Sequence, residues 1–244
     1  MSHDGHFDET LAASYDDDAE AFDPATVEPA VDFLAELAGG GTALEFAVGT
    51  GRIALPLARR GVAVHGIELS RAMAARLAAK PGGAEIPVTL GDMSTTTVPG
   101  SFRLVYLVFN TIMNLTTQAA QVACFRNAAA HLAPGGAFVI EVMVPRLRQL
   151  PPGQALHVFR AGAAHWGIDE YDVVNQGLVS HHIVEAGGTT RRYAMPCRYV
   201  WPAELDLMAE LAGMTPDGRW ADWLRTPFSA DSDAHVSVWR TPGG

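Results

Sequence analysis

Ala43-Leu-Glu-Phe-Ala-Val-Gly-Thr-Gly-Arg-Ile-Ala-Leu-Pro-Leu-Ala-Arg-Arg-Gly61 is the stretch that decides how this chain is read. A short apolar run carries the carboxylate of Glu45 near its end. A glycine-punctuated turn follows, and then an amphipathic segment of helical spacing. Gly49 and Gly51 lack the Cβ atoms that would keep a backbone from turning sharply or approaching a ligand closely. The helix expected over residues 51–60 points its first free N–H groups at whatever sits above the turn. The pattern predicts a strand–turn–helix unit that binds a nucleotide-type cofactor.

Outward from this unit, strand and helix alternate. Pro24 opens a helix whose apolar positions Val27, Val31, Leu34 and Leu37 keep helical spacing until Gly39-Gly40-Gly41. Strands are expected at 42–46, 62–67, 86–90, 102–109 and 137–144, with helices at 70–79, capped by Ser70, and 117–131 between them. Residues 102–109 are nearly all apolar after Arg103, as in a strand buried on both faces of a parallel sheet. From Pro145 to about Pro202 the rhythm changes to short alternating runs at 157–160, 173–175, 178–184 and 191–201. Gly187-Gly188 reads as a hairpin turn between two of them. A helix at 203–212 and strands at 215–220 and 234–239 end the chain. The expectation is one domain over 1–244. Within it lie an N-terminal lid or helical segment at 1–41 and an antiparallel insertion at 145–202 that caps the acceptor site.

Composition narrows the function. The chain has 244 residues, 48% hydrophobic and 18% charged, with a net charge of −10. Lys80 is its only lysine, so no basic stripe exists for phosphate neutralisation and no nucleic-acid partner is expected. Arginine in place of lysine, with abundant Ala and Gly, reads as bacterial coding bias. Cys124 and Cys197 are too far apart in sequence to suggest a ligand pair or disulfide framework. No signal-peptide pattern and no run near 18 apolar residues is present, so a cytoplasmic protein without a membrane partner is expected, as monomer or homodimer. Gly-x-Ser-x-Gly and a P-loop lysine are absent, which removes hydrolase and NTPase readings.

Three acids follow three consecutive expected strands: Glu45, Glu68 and Asp92. Ligands of open α/β sheets bind beyond the carboxyl ends of the strands. Glu68 lies 19 positions after Gly49, the spacing at which an acid meets a pair of ribose hydroxyls. Gly49-Thr-Gly-Arg-Ile-Ala54 also fits a dinucleotide fingerprint, so a NAD-dependent oxidoreductase is the rival. Against it, Glu45 would repel a pyrophosphate and suits an ammonium, and the lone lysine, after the second helix, offers no Tyr-x-x-x-Lys pair.

Glu45-x-Ala47-x-Gly49-x-Gly51 resembles motif I of the class I S-adenosylmethionine-dependent methyltransferases, with Ala47 where that family usually has glycine. Leu132-Ala-Pro-Gly-Gly136 and the ending from Arg198 are similar to the small-molecule members. The resemblance implies a Rossmann-like, doubly wound, mostly parallel seven-stranded sheet with an antiparallel β insertion after strand five. It also implies S-adenosyl-L-methionine as cofactor and methyl transfer to N or O of a small molecule, such as a secondary metabolite.

Its implied cofactor contacts are Glu45, Ala47, Gly49 and Gly51, then Glu68 with Leu69 on the adenine face, and Asp92 with Met93 at the adenine. Phe109 and Asn110 would touch the methionine part. An N-terminal lid helix containing Leu11, Tyr15 and Phe22 would set Tyr15 over the cofactor. Acceptor candidates are Asn114 at the strand-four tip and His165, Trp166, His181, Arg198 and Tyr199 in the insertion, where His157, Tyr171 and Trp201 are further pocket residues. The sequence identifies no catalytic residue; a histidine base such as His165 or His181 would favour an oxygen acceptor. No metal is expected: His181 and His182 would point to opposite faces of a strand, and Asp169, Glu170 and Asp172 read as a solvated turn. A binding protein that holds the same cofactor without transferring its methyl is the alternative of another class.

Overall fold

A computed structural model describes residues 7, 9–17, 23–186 and 188–244. Its main sheet has seven strands: β1 (Ala43–Phe46), β2 (Val64–Glu68), β3 (Val88–Leu90), β4 (Phe102–Leu107), β5 (Leu132–Met143), β10 (Thr215–Trp220) and β11 (Ala234–Arg240). Their order is β10-β11-β5-β4-β1-β2-β3. β3, β2, β1, β4 and β5 are mutually parallel, while β11 runs antiparallel to both β5 and β10. The strand order reverses between β1 and β4, and such a switch point opens a crevice at the carboxyl ends of the strands.

Local chemistry starts the helices where the sequence places them. In α2 (Pro24–Ala38), Asp23 accepts the Ala25 N–H at 2.9 Å, and Gly39 closes the far end at φ 55°. Ser70 Oγ accepts the Met73 N–H of α4 (Arg71–Ala79), and Thr117 Oγ1 accepts the Ala120 N–H of α5 (Gln118–His131). The first crossover helix, α3 (Ala54–Arg59), is shorter than the expected 51–60, because Arg52 and Ile53 stay in the turn.

Period-two alternation along β4 builds two cores. Leu104 and Tyr106 face α2 with Val31, Phe33 and Leu34, whereas Val105 and Leu107 face α5 with Phe125 and Phe138. All four β4 side chains are fully buried, which is why the run reads as continuous apolar sequence. Trp239 fills the β11 end of the second core, and its Nε1 donates to Asp206 Oδ1 at 2.9 Å.

The segment after β5 forms a separate four-stranded antiparallel sheet: β6 (Leu156–Ala161), β7 (His165–Asp172), β8 (Gly177–Ala186) and β9 (Thr189–Arg198), paired in sequence order. Two expectations change here. Residues 173–175 are a turn rather than a strand, with Asp172 accepting the Val174 and Asn175 N–H groups. The stretch 165–172, including the acids read as a solvated turn, is strand β7, and Asp169 is buried. Alternating polar and aromatic residues hid it, because only Tyr171 of its inner face reaches an apolar core, while His165 and Asp169 meet protein polar groups. The hairpin expected at 187–188 is flanked by the Ala186–Thr189 pair, although Gly187 lies outside the described residues.

The second sheet is joined to the first by a buried ion pair. Arg198, at the end of β9, donates from Nη2 to Glu204 Oε1 of α6 (Pro202–Leu211) at 2.7 Å and from Nη1 to Gln121 Oε1 of α5. Gln118 and Gln176 donate to the same Glu204 carboxylate, and Gln121 returns a hydrogen bond to the Arg198 carbonyl. Arg198→Ala leaves Glu204 buried without its cation, and we expect a loss of about 3–5 kcal/mol in unfolding free energy. Urea denaturation of the two proteins checks it; a loss below about 1 kcal/mol would mean that the joint does not depend on this pair.

Candidate active site

The turn after β1 is held open by backbone conformation. Ala47, Gly49 and Gly51 take φ values of 53°, 58° and 83°, all in the left-handed region. Ala47 therefore bears the cost of an L-residue where glycine would be free. At Gly51 a Cβ would also lie 2.4 Å from Leu77 Cδ1, so α3 and α4 pack closely only without it.

Glu68, the last residue of β2, ties this turn to the next one. Its Oε2 accepts the Gly49 N–H and its Oε1 the Ser70 N–H, each at 2.8 Å. The carboxylate is buried; burial raises its pKa, and the amides of Ser70 and Gly49 work against that rise. The Leu69 amide also donates to this carboxylate, which leaves one lone pair for a ligand hydroxyl. Glu45 lies deeper. It accepts the Tyr106 hydroxyl at 2.9 Å and the Ala54 N–H, and burial pushes its carboxyl up to about 8 despite Arg52 nearby. Asp92 follows β3 in an exposed turn, where its Oδ1 accepts from the Ser94 amide and hydroxyl. Leu69 stays 45% exposed beside Glu68, whereas Met93 is buried.

At the tip of β4, Phe109 and Asn110 both adopt left-handed conformations. Asn110 Oδ1 accepts the Met143 N–H at 2.7 Å, so this side chain fastens the β4 tip to the end of β5. Glu141 of β5 accepts the Phe109 N–H and the Trp223 indole N–H, each at 2.9 Å. Arg52 lies 3.7 Å above the Phe109 ring. The sequence reading missed Glu141 and Arg52. The acid inside the apolar run of β5 was the available signal for the first; nothing marked the second.

The N-terminal segment crosses this edge of the sheet. Helix α1 (Glu9–Ser14) sets Ala12 against Ala72 and Met73 of α4, and the Ser70 hydroxyl donates to the Phe7 carbonyl. Asp16 accepts the Thr50 hydroxyl at 2.6 Å and the Lys80 ammonium at 2.7 Å, while Lys80 also donates to the Thr50 carbonyl. The lone lysine is thus a latch between segment and turn. Tyr15 lines a void of about 30 Å³ with Glu45, Ala47, Gly49, Thr50, Arg52 and Phe109. Phe22 lies outside the described residues.

Among the acceptor candidates, the structure separates the faces. Asn114 is exposed in the turn Thr111–Asn114, 4.0 Å from Cys197 Sγ. His165 lies on the face of β7 that also carries Asp169 and Tyr171, the latter packed into the main core. Trp166 and His181 are on the opposite face, where His181 pairs with Glu170 at 3.1 Å. Arg198 and Tyr199 are buried in the joint between the sheets, and Trp201 meets Tyr199 edge-on. His157 Nε2 accepts from Arg146.

The donor set at the strand ends fits a ligand bearing an ammonium, a vicinal diol and an amino group, since Glu45, Glu68 and Asp92 are all acceptors when ionised. Arg52, Phe109 and Tyr15 border the part of the crevice above Glu45. Gly51→Ala combines left-handed strain with the clash on Leu77, and we expect it to cost about 2–4 kcal/mol of stability. Ala47→Gly, which relieves strain but loosens the unfolded chain, is expected within about 1 kcal/mol of wild type. Thermal or urea unfolding distinguishes the two, and equal effects would refute this account of the turn.

A family model described as a methyltransferase domain matches residues 43–136. The chain is 34% identical to the CcbJ methyltransferase from Streptomyces caelestis, covering 98% of this chain and 99% of that one with a TM-score of 0.85. It is 26% identical over 239 residues to a cypemycin N-terminal methyltransferase from a Streptomyces species, covering 95% of this chain and 96% of that protein. The fold is also similar, with a TM-score of 0.66 and 21% identity over 92% of this chain and 95% of that one, to S-adenosylmethionine-bound CalS10, an amino pentose methyltransferase from Micromonospora echinaspora. This chain belongs to the class I S-adenosylmethionine-dependent methyltransferases.

Proposed function

We propose that the protein methylates an amine nitrogen of a small secondary metabolite or short peptide. S-adenosylmethionine, when bound, supplies an electrophilic methyl group on a good leaving group. The chain's part is to hold that cofactor, bring the acceptor to the β4 tip and keep water out. Glu45 would take the ammonium of the methionine portion, Glu68 the ribose hydroxyls, and Asp92 the adenine amine with Leu69 and Met93 beside it. Tyr15, Phe109 and Asn110 would border the reactive end, and the second sheet would cap the acceptor.

The observation that carries the choice of nitrogen is what has become of the two histidines that would serve an oxygen acceptor. His181 is on the sheet face turned from the site, paired with Glu170. His165 has Arg160 Nη1 3.1 Å from Nδ1 and His182 Nδ1 2.9 Å from Nε2, so neither ring nitrogen is left to take a hydroxyl proton. A hydroxyl acceptor would look to such an imidazole, whereas an amine needs only to lose its ammonium proton, which a carboxylate can take. The cypemycin N-terminal methyltransferase and the amino pentose methyltransferase support the same reading. Incubation with S-adenosylmethionine and a panel of glucosamine, alanine-initiated tripeptides and catechol tests it by product mass and NMR. Methylated amines are expected, and methylation confined to catechol oxygen would sink the reading.

Glu45 makes cofactor binding pH-dependent. Its carboxyl, pushed up to about 8, is protonated in the free protein at neutral pH, and a bound ammonium favours the ionised form. Binding therefore expels a proton, and affinity rises with pH up to about 8 and then levels. The sign for stability is opposite. A carboxyl raised on folding binds a proton that the unfolded chain releases, so stability without ligand falls as pH rises from about 4.5 to about 8. Calorimetry of S-adenosylmethionine binding in buffers of different ionisation enthalpy should count close to one proton released near neutral pH and none in Glu45→Gln. An equal count in both proteins would exclude Glu45 as the linked group.

A further inference from the structure

The face of the second sheet that carries Asp169 holds a continuous run of polar side chains for which the reading above has no use. Arg160 Nη1 is 3.1 Å from His165 Nδ1, His165 Nε2 is 2.9 Å from His182 Nδ1, and His182 Nε2 is 3.2 Å from Ser180 Oγ. The Ser180 hydroxyl in turn hydrogen-bonds Asp169. Donation can run in only one direction. A guanidinium has donors alone, so His165 accepts on Nδ1 and carries its proton on Nε2. That proton points at His182 Nδ1, which puts the His182 proton on Nε2, aimed at Ser180 Oγ. Ser180 then has one proton to give, and Asp169 receives it. Every donor in the series points toward the carboxylate, and each polarises the next. The His182 ring is kept neutral as this requires, since burial, then His165 and Arg160, pull it down to about 4.

Asp169 lies one same-face row from the side chains that pack beyond the β4 tip. Its row across the sheet, His157–Asp169–Ser180–Met195, lies next to the row Tyr171–Leu178–Cys197. That second row rests on the turn Thr111–Asn114 beyond the β4 tip, with Cys197 4.0 Å from Asn114. The carboxylate is buried. Burial raises its pKa, opposed by the Ser180 hydrogen bond and by His157, Arg146 and His181, while Tyr171 and Cys197 flank it as neutral groups. A buried acid aligned by a donor chain, next to the row that rests on the turn beyond β4, has a geometry that packing alone does not require.

We propose that Asp169 receives the ammonium of the acceptor and takes its proton before transfer, with Ser180, His182 and His165 as positioning residues that hold the carboxylate. This rests on the amine reading above. In the step, the N–H bond breaks, its electron pair stays on nitrogen, and the proton goes to an Asp169 oxygen. The freed pair forms the N–C bond as the C–S bond breaks toward sulfur. The product leaves as an ammonium, and Asp169 returns its proton to water.

The probe is ethylammonium chloride, added to the full chain saturated with S-adenosylhomocysteine while carbon NMR follows the Asp169 carboxyl. Ethylammonium at up to about 0.1 M should lower the titration midpoint by about one pH unit. Ser180→Ala should raise the midpoint without probe, since a donor to the charged form is lost. Asp169→Asn should keep S-adenosylhomocysteine affinity within about twofold. With an amine acceptor it should lose about a hundredfold or more in kcat, partly restored by Asp169→Glu. Ser180→Ala should move the acid limb of kcat/KM to higher pH. A midpoint indifferent to ethylammonium overturns the proposal. So does an N-methylated product formed by Asp169→Asn at the wild-type rate, which leaves the amine reading intact. Methylation at oxygen by the wild type removes the amine reading and, with it, the proton-transfer role.

Discussion

Glu68 is the carboxylate on which the crevice at the strand ends depends. It is the last residue of one strand, yet both its oxygens are engaged by backbone amides from two different turns, at Gly49 and Ser70. Those turns belong to successive strand–helix units, so one side chain sets their relative position. The Ser70 hydroxyl extends the linkage to the N-terminal segment through the Phe7 carbonyl. The arrangement works because Gly49 can adopt φ 58° and direct its N–H toward the acid. Glu45 sits beneath the same turn, raised in pKa by burial and held by Tyr106. Two acids of the crevice are thus fixed by hydrogen bonds before a ligand arrives, and ordering them costs a ligand little.

The second sheet solves a different problem. It hangs on the main sheet through a joint that is apolar at Tyr171, Leu178 and Tyr199 and ionic at Arg198 and Glu204. Beyond that joint its inner face carries polar groups bonded to one another. A fixed guanidinium at one end and a carboxylate at the other leave each imidazole a single tautomer. Such a chain specifies the position of Asp169 more sharply than apolar packing would, because slippage breaks several hydrogen bonds at once.

Much of this was legible in the sequence, and for physical reasons. Strand and helix limits follow from periodicity, capping residues and glycines, so the order of the seven-stranded sheet's elements could be read, as could Ser70 as a cap. That Glu45, Glu68 and Asp92 lie near one another could be read because strand ends in a parallel sheet converge on one crevice. Strand β7 was not legible. Only Tyr171 reaches the apolar core, and the strand's other inward residues are polar or glycine, so the apolar alternation that marks a strand is missing.

Local covalent and conformational preferences therefore determined the fold class, the glycine turn and the acids beside it, since each depends on residues within a strand and its following helix. The tertiary structure alone decided which side chains meet across long separations. It set Arg198 against Gln121, 77 positions away, Lys80 against Asp16, and Phe109 beneath Arg52. It also turned His165 and Asp169 to one face and His181 to the other, a choice set by strand register, which a sequence without its pairing partners does not contain.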